Sequence, residues 1–195
     1  MNQQLDRHYW DSRYTEQNTG WDLGLASPAL CRYMDSLTDS RVSVLIPGCG
    51  NAHEAAYLHA RGFDRVHLLD ISPHPLKQFL NRVTDFPQEH VHCGDFFEHT
   101  GSYDLILEQT FFCALDPSLR ARYVQHVKKL LRPGGKLVGL LFSTRFDVPG
   151  PPFGGDENEY RDLFEAQFHS VMLQPCTSSI PARSGRELWM ECQRD

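Results

Sequence analysis

Between residues 42 and 142 the chain alternates short apolar runs with amphipathic stretches. Val42-Ser43-Val44-Leu45-Ile46, closed by Pro47-Gly48-Cys49-Gly50, reads as a buried strand ending in a tight turn. Residues 51–61 carry a helical pattern, and Gly62 stands where a helix-ending glycine belongs. Val66-His67-Leu68-Leu69-Asp70 is a second strand with an acid at its carboxyl end. A helix over 74–83 follows, its start disturbed by Pro73 and Pro75. Val91-His92-Cys93 and Tyr103 to Leu107 are a third and a fourth strand, ended by Gly94-Asp95 and Glu108. Over 118–132, Leu119, Tyr123, Val127, Leu130 and Leu131 fall on one helical face. Pro133-Gly134-Gly135 breaks that helix before a fifth strand, Lys136 to Phe142.

The flanks complete the pattern. Polar positions interleaved with Tyr9, Trp10 and Tyr14 predict an N-terminal helix within 1–20. Ser27 and Pro28 are the N-cap and first position of a helix over 28–37. After a Pro/Gly loop at 147–155 come a helix over 157–167 and strands near 168–174 and 187–193. Strand–helix alternation of this kind builds an α/β fold, a mostly parallel sheet with helices on both faces. Only a loop separates the last two strands, so they pair antiparallel at one edge.

Composition narrows the partners. A chain of 195 residues is expected to form a single domain, 1–195. Its 19 Lys and Arg against 25 Asp and Glu give a net charge of −6, which disfavours nucleic acid or an anionic membrane as the main partner. No run approaches the ~18 apolar residues of a membrane helix. The N-terminus has no apolar signal region, so the expected compartment is the cytoplasm. Six irregularly spaced cysteines without a C-x-x-C pair fit reduced thiols there.

In an open parallel sheet the ligand sits outside the carboxyl ends of the strands. Here those ends carry Gly48-Cys49-Gly50, Asp70, Asp95 and Glu108, one feature per strand. The glycine turn allows close approach to backbone, and the helix N-terminus over 51–54 offers free N–H groups. Asp70 follows Gly50 by the ~20 residues at which an acid reaches ribose hydroxyls. Asp95 suits an adenine amino group, with Phe96 against the ring. His53 stands where a dinucleotide fingerprint has its third glycine, which disfavours a dehydrogenase, and a P-loop lysine pattern is missing. His90 and His92 precede Cys93 without a fourth ligand at metal-site spacing, so no metal is expected. Cys49 and Cys113 have no paired base in the sequence and read as inert.

The segment 44–50, Asp70, Asp95 and Pro133-Gly134-Gly135-Lys136 together resemble a class I S-adenosylmethionine-dependent methyltransferase with a Rossmann-like, seven-stranded sheet. Trp21-Asp22-Leu23-Gly24, the stretch from Phe111 to Pro117, and Gly150-Pro151-Pro152-Phe153 resemble the thiopurine S-methyltransferase family, closest to its thiocyanate/halide/thiol branch. The resemblance spans roughly residues 8 to 192. It implies that S-adenosylmethionine is bound and S-adenosylhomocysteine released. It implies that Trp10, Tyr14 and Trp21 close over the cofactor within an N-terminal lid, 1–26. Gly48 and Gly50 would form the cofactor turn, Asp70 would hold the ribose, Asp95 and Phe96 the adenine, and Glu108 would lie near the methionine end. Phe111, Phe112 and Phe153 would wall the acceptor pocket, and Arg183 would be a substrate-side cation. The animal thiopurine enzymes carry arginine where this chain has Gln109, which favours the other branch.

The implied reaction moves a methyl group to a small soft nucleophile (a thiol, hydrosulfide, thiocyanate or halide) by in-line displacement. A sulfonium is already an activated leaving group, so no catalytic base is assigned. A thiopurine-type or selenium/tellurium-detoxifying S-methyltransferase and a non-catalytic cofactor binder of the same fold remain alternatives. The partner is a small molecule, and a monomer is the expected state.

Overall fold

The computed structural model describes residues 5–195, so the first four residues of the segment 1–26 lie outside the described residues. Seven strands form one sheet: β1 Val44–Pro47, β2 Val66–Asp70, β3 Val91–Cys93, β4 Tyr103–Gln109, β5 Leu131–Phe142, β6 Ser170–Pro175 and β7 Glu187–Gln193. The helices are α1 Arg7–Thr15, α2 Pro28–Asp35, α3 His53–Ala60, α4 Pro73–Arg82, α5 Arg120–Leu130 and α6 Glu157–Glu165. The strand order is β3-β2-β1-β4-β5-β7-β6, with the first five parallel. The antiparallel pairing expected at the C-terminal edge is present. β7 is slotted between β5 and β6 rather than lying outermost.

Side-chain alternation along the strands divides the core in two. Val44, Ile46, Leu68, Leu105 and Leu107 pack with Leu30, Leu58 and Phe79 from α2, α3 and α4. Their neighbours Leu45, Leu69 and Ile106 point to the other face and pack with Tyr123, Val127 and Phe164 from α5 and α6. Each central strand thus buries both faces, which is why it reads as an unbroken apolar run.

Local chemistry departs from expectation in three places. Ser27 occupies the N-cap of α2, but its side chain makes no capping bond, and its N–H donates to Glu54 Oε1 at 2.9 Å. Pro73 and Pro75 do not disturb α4. They lie in its first turn, where a helix needs no N–H, and the Ser72 hydroxyl caps it. Pro133-Gly134-Gly135 does not end α5, which stops at Leu130; it falls inside β5, because the strand pairs Leu131 with Tyr103, loops out, and resumes pairing at Lys136.

The topology places the site. β1 lies between β2 and β4, so the chain runs outward on one side and then returns to start on the other. The loops leaving β1 and β4 therefore diverge and open a crevice at the carboxyl edge. β7 is antiparallel and pairs Glu187 with Phe142, so the loop entering β7 arrives at that same edge.

Candidate active site

A cavity of about 790 Å³ opens at that edge. Its walls come from every loop the topology sends there: Gly48 after β1, Asp70 and Ile71 at the end of β2, Asp95 and Phe96 after β3, and Thr110 and Phe111 after β4. Pro151 and Pro152 come from the loop after β5, and Arg183 from the loop before β7. Trp10, Tyr14 and Trp21 roof it from α1 and the segment that follows.

The floor is the β1 turn. Gly48 and Gly50 have φ of +55° and +50°, the left-handed region that glycine enters without steric cost. A Cβ on Gly48 would lie 2.2 Å from Phe111 Cδ2, so the turn and the ring touch directly. The Gly50 N–H donates to Asp70 Oδ2 and the Ser72 N–H to Asp70 Oδ1, both at 2.9 Å. These bonds fix the carboxylate, and each oxygen keeps a second lone pair for a ligand hydroxyl. Burial pushes Asp70 up to about 6, against the lowering effect of the two N–H groups.

The aromatic roof is mutually braced. Trp10 and Tyr14 meet Trp21 edge-on, with ring centroids 5.5 and 5.7 Å apart. The guanidinium of Arg13 lies 5.7 Å from the Trp21 ring centroid, a cation–π contact. The Tyr14 hydroxyl reaches to 3.2 Å from the point a Gly50 Cβ would occupy, so it covers the glycine turn. Burial, with Asp70 nearby, raises the Tyr14 phenol well above its ordinary value and keeps it neutral.

Asp95 is exposed and accepts the Phe97 N–H at 2.8 Å, which orders the turn that holds Phe96. Phe96 is buried beside Phe111 and Tyr123. Arg183 reaches the cavity, but its charge is engaged. Nη1 pairs with Glu187 Oε1 at 3.4 Å, and Nη2 donates to the Trp21 carbonyl at 2.8 Å. It acts on the roof as well as on the cavity, and Arg186 stands nearby on the same wall.

Four residues assigned to the site from sequence do not line this cavity. Glu108 is fully buried beneath it. Oε1 accepts the N–H groups of Phe111 and Phe112 at 2.8 and 2.9 Å, and Oε2 accepts the Tyr123 hydroxyl at 2.6 Å. Burial pushes it up to about 7. It props the turn that carries Phe111. Phe112 turns the other way into the core, against Tyr123, Tyr160 and Phe164. Phe153 packs on Gly150, and its N–H donates to the Cys113 carbonyl, so it braces the loop whose prolines face inward. Gly50 holds Asp70 from behind the turn.

The sequence reading missed Thr110, Phe142, Phe146 and Ile71; Cys113, read there as inert, also lines the cavity. Thr110 has a φ of +60°, unusual for a non-glycine residue, and no local signal marks it. Ile71 follows a strand-end acid, and that position is a usable signal. No histidine lines the cavity among the described residues, and no three His, Cys, Asp or Glu side chains among them are placed to share a metal ion.

Comparison with known proteins supplies a context. The model of the thiopurine S-methyltransferase family matches residues 5–188. A probable thiol methyltransferase 2 and a thiocyanate methyltransferase 1, both from Arabidopsis thaliana, are each 29% identical over 184 residues. The match covers 91% of this chain and 81% of each relative. Among solved structures, a 1,6-didemethyltoxoflavin-N1-methyltransferase from Burkholderia thailandensis, with bound 1,6-didemethyltoxoflavin and S-adenosylhomocysteine, superposes with a TM-score of 0.71. It is 21% identical, and the match covers 96% of this chain and 86% of that one.

Proposed function

The chain belongs to the thiopurine S-methyltransferase family of S-adenosylmethionine-dependent methyltransferases, and from that premise we propose that it methylates a small, soft, anionic nucleophile such as a thiolate, hydrosulfide, thiocyanate or halide. The observation that carries this reading is the make-up of the cavity. Its lining joins Gly48, Asp70, Asp95 and Phe96 to an apolar set, Phe111, Phe142, Phe146, Cys113, Pro151 and Pro152, with Arg183 and Arg186 also on the wall. About 790 Å³ is room for a nucleoside cofactor and a small acceptor together.

The residues present fit the cofactor. Asp70 would hold the ribose through its free lone pairs, and Asp95 with Phe96 would hold the adenine. The Gly48 turn would admit the chain that links ribose to methionine. The bound sulfonium supplies an activated methyl group, and the protein's task is to aim a nucleophile at it in a dry site. Phe111, Phe142 and Phe146 exclude water. The arginines draw in an anion, with the charge of Arg183 offset by Glu187. A thiol of ordinary pKa near 8.5 ionises enough near pH 7 to need no base, which fits a cavity without histidine. The segment up to residue 26 serves as the lid, with Trp10, Tyr14 and Trp21 closing over the bound pair. The six unpaired thiols suit a reducing compartment such as the cytoplasm.

The test is a panel of iodide, thiocyanate, hydrosulfide, small thiols and 6-mercaptopurine, scored by methylated product. Turnover of the small anions well above that of the purine is expected. Turnover confined to the purine would overturn the choice of acceptor.

A further inference from the structure

Two arginines flank the aromatic pair Phe142 and Phe146 on the cavity wall. The two rings meet edge-on, with centroids 5.2 Å apart. The guanidinium of Arg183 lies 5.2 Å from the Phe142 centroid, and that of Arg186 lies 5.2 Å from the Phe146 centroid. The result is a row of cation, ring, ring, cation, and all four residues line the cavity. Backbone bonds fix the row to the end of β5. The Arg186 N–H donates to the Arg183 carbonyl at 3.0 Å, and the Ser143 N–H donates to the Arg186 carbonyl at 2.8 Å.

The two charges at the ends of the row are not equivalent. Arg183 is buried, and Glu187, buried beside it, offsets its charge. Arg186 is exposed, and its guanidinium joins no ion pair among the described residues. Its contact with the Phe146 ring orients the cation without neutralising it. Two further arginines border the cavity elsewhere. Arg13 lies against Tyr9 and Trp21 in the roof, and Arg122 lies over Phe97, next to Phe96. Beside Phe142 and Phe146, the uncompensated positive charge is therefore that of Arg186.

We propose that Arg186, rather than Arg183, selects an anionic acceptor, capturing it at the exposed rim before it moves in against Phe142 and Phe111. The inference rests on the acceptor reading above and moves to Arg186 the role that the sequence suggested for Arg183. The place of the charge matters. As the nucleophile's lone pair forms the new bond to carbon, the departing electron pair returns to sulfur, and the negative charge of the acceptor disappears. A cation touching the reacting atom would hold the anion more tightly than the transition state and slow the transfer, whereas a cation at the rim assists capture alone. A guanidinium is also weakly hydrated, which suits weakly hydrated anions such as thiocyanate and iodide.

The experiment compares Arg186→Gln and Arg186→Lys with the unmutated protein. Methyl transfer to thiocyanate and iodide is measured, and calorimetry follows thiocyanate binding to the complex with S-adenosylhomocysteine. Arg186→Gln is expected to raise KM for both anions about fivefold or more, with kcat within about twofold, and to weaken thiocyanate binding to the same extent. Its affinity for S-adenosylhomocysteine is expected to stay within about twofold of the parent. Arg186→Lys, which keeps the charge, is expected to recover part of the loss. The KM of the parent should rise with ionic strength as screening shortens from ~30 Å at 0.01 M to ~3 Å at 1 M, and that of Arg186→Gln should respond less. Three results would overturn the proposal: unchanged thiocyanate binding and KM in Arg186→Gln, a fall in kcat as large as that in kcat/KM, or an equal loss of S-adenosylhomocysteine affinity. If the unmutated protein turned over none of the small anions, the acceptor reading itself would fall. The calorimetric comparison, which needs no turnover, would then decide the role of Arg186 alone.

Discussion

At the scale of single residues, two carboxyl groups with raised pKa do different work. Asp70 faces the cavity with lone pairs to spare, whereas Glu108 is sealed below it with all its bonds internal. Asp70→Ala should weaken S-adenosylhomocysteine by about tenfold or more, from loss of charge-assisted bonds to the ribose. Because Asp70 titrates near 6 in the ligand-free protein, affinity should fall as pH drops through that value, and Asp70→Asn should abolish the dependence. Calorimetry between pH 5 and 8 reads both effects. Glu108→Ala should leave the folded turn with two orphaned N–H groups and an orphaned hydroxyl, costing about 3 kcal/mol or more in urea unfolding. Glu108→Gln keeps the amide-facing oxygen and should cost far less. The sign of its pH effect follows from the raised pKa. The folded state binds more protons than the unfolded state between the ordinary 4.5 and about 7. The Glu108 contribution is therefore complete below pH 4.5 and lost as pH rises through 7. The Gln variant should gain ground on the parent over that window, and parallel curves would refute the assignment.

At the scale of elements, the histidines on the flank of the sheet set an opposite pH response. His67 on β2 lies against His90 in the turn before β3, His92 on β3, His99 beyond it, Tyr103 on β4 and the charge of Arg65. Its Nδ1 is 3.2 Å from His92 Nε2. Burial and the neighbouring imidazoles push both His67 and His99 down to about 4, and His92 is lowered for the same reasons. The unfolded chain therefore binds more protons between about 4 and 6.5, and stability that is complete above pH 6.5 is lost as pH falls through 4. His67→Gln should lose less stability than the parent between pH 7 and pH 4.5 in urea titrations, and equal losses would show that the cluster is not responsible. This cluster also marks how much the sequence disclosed. The near-continuous burial of β1, β2 and β4 was legible because both faces of each strand are apolar, and strand-end acids were legible because a parallel sheet gathers its carboxyl ends. The imidazole cluster was not, since His67 and His92 meet only through the register that sets Leu69 opposite His92. For the same reason Phe111 and Phe112, adjacent in sequence, could not be told apart: one rests on Gly48 and the other points into the core. Glu108 was placed at the correct strand end, but the turn that folds back over it decides that it meets backbone rather than ligand.

At the scale of the whole molecule, the roof is the least anchored part of the site. No side chain of α1 is fully buried, in contrast to the fully buried positions of β1. Its hold on the body runs through packing against α4, through aromatic contacts to Trp21, and through the bond from Arg183 to the Trp21 carbonyl, which joins positions 162 residues apart. Arg183 is in turn held by Glu187, at the start of the strand that inserts into the sheet. The site loop before β7 and the roof are therefore tied together by a bond that few fully buried contacts of α1 back up. Without ligand, the amides of α1 should exchange with solvent orders of magnitude faster than those of β1 and β4. Saturating S-adenosylhomocysteine should slow them, because the ligand supplies the buried face that α1 lacks. Arg183→Met should speed exchange in α1 and around Trp21 while leaving the central strands unchanged, and it should weaken the ligand through loss of the roof. Hydrogen exchange read by mass spectrometry distinguishes this from a direct role. If Arg183 only held the acceptor, the variant would lose turnover with no change in α1 protection, and the coupling between loop and roof would be refuted.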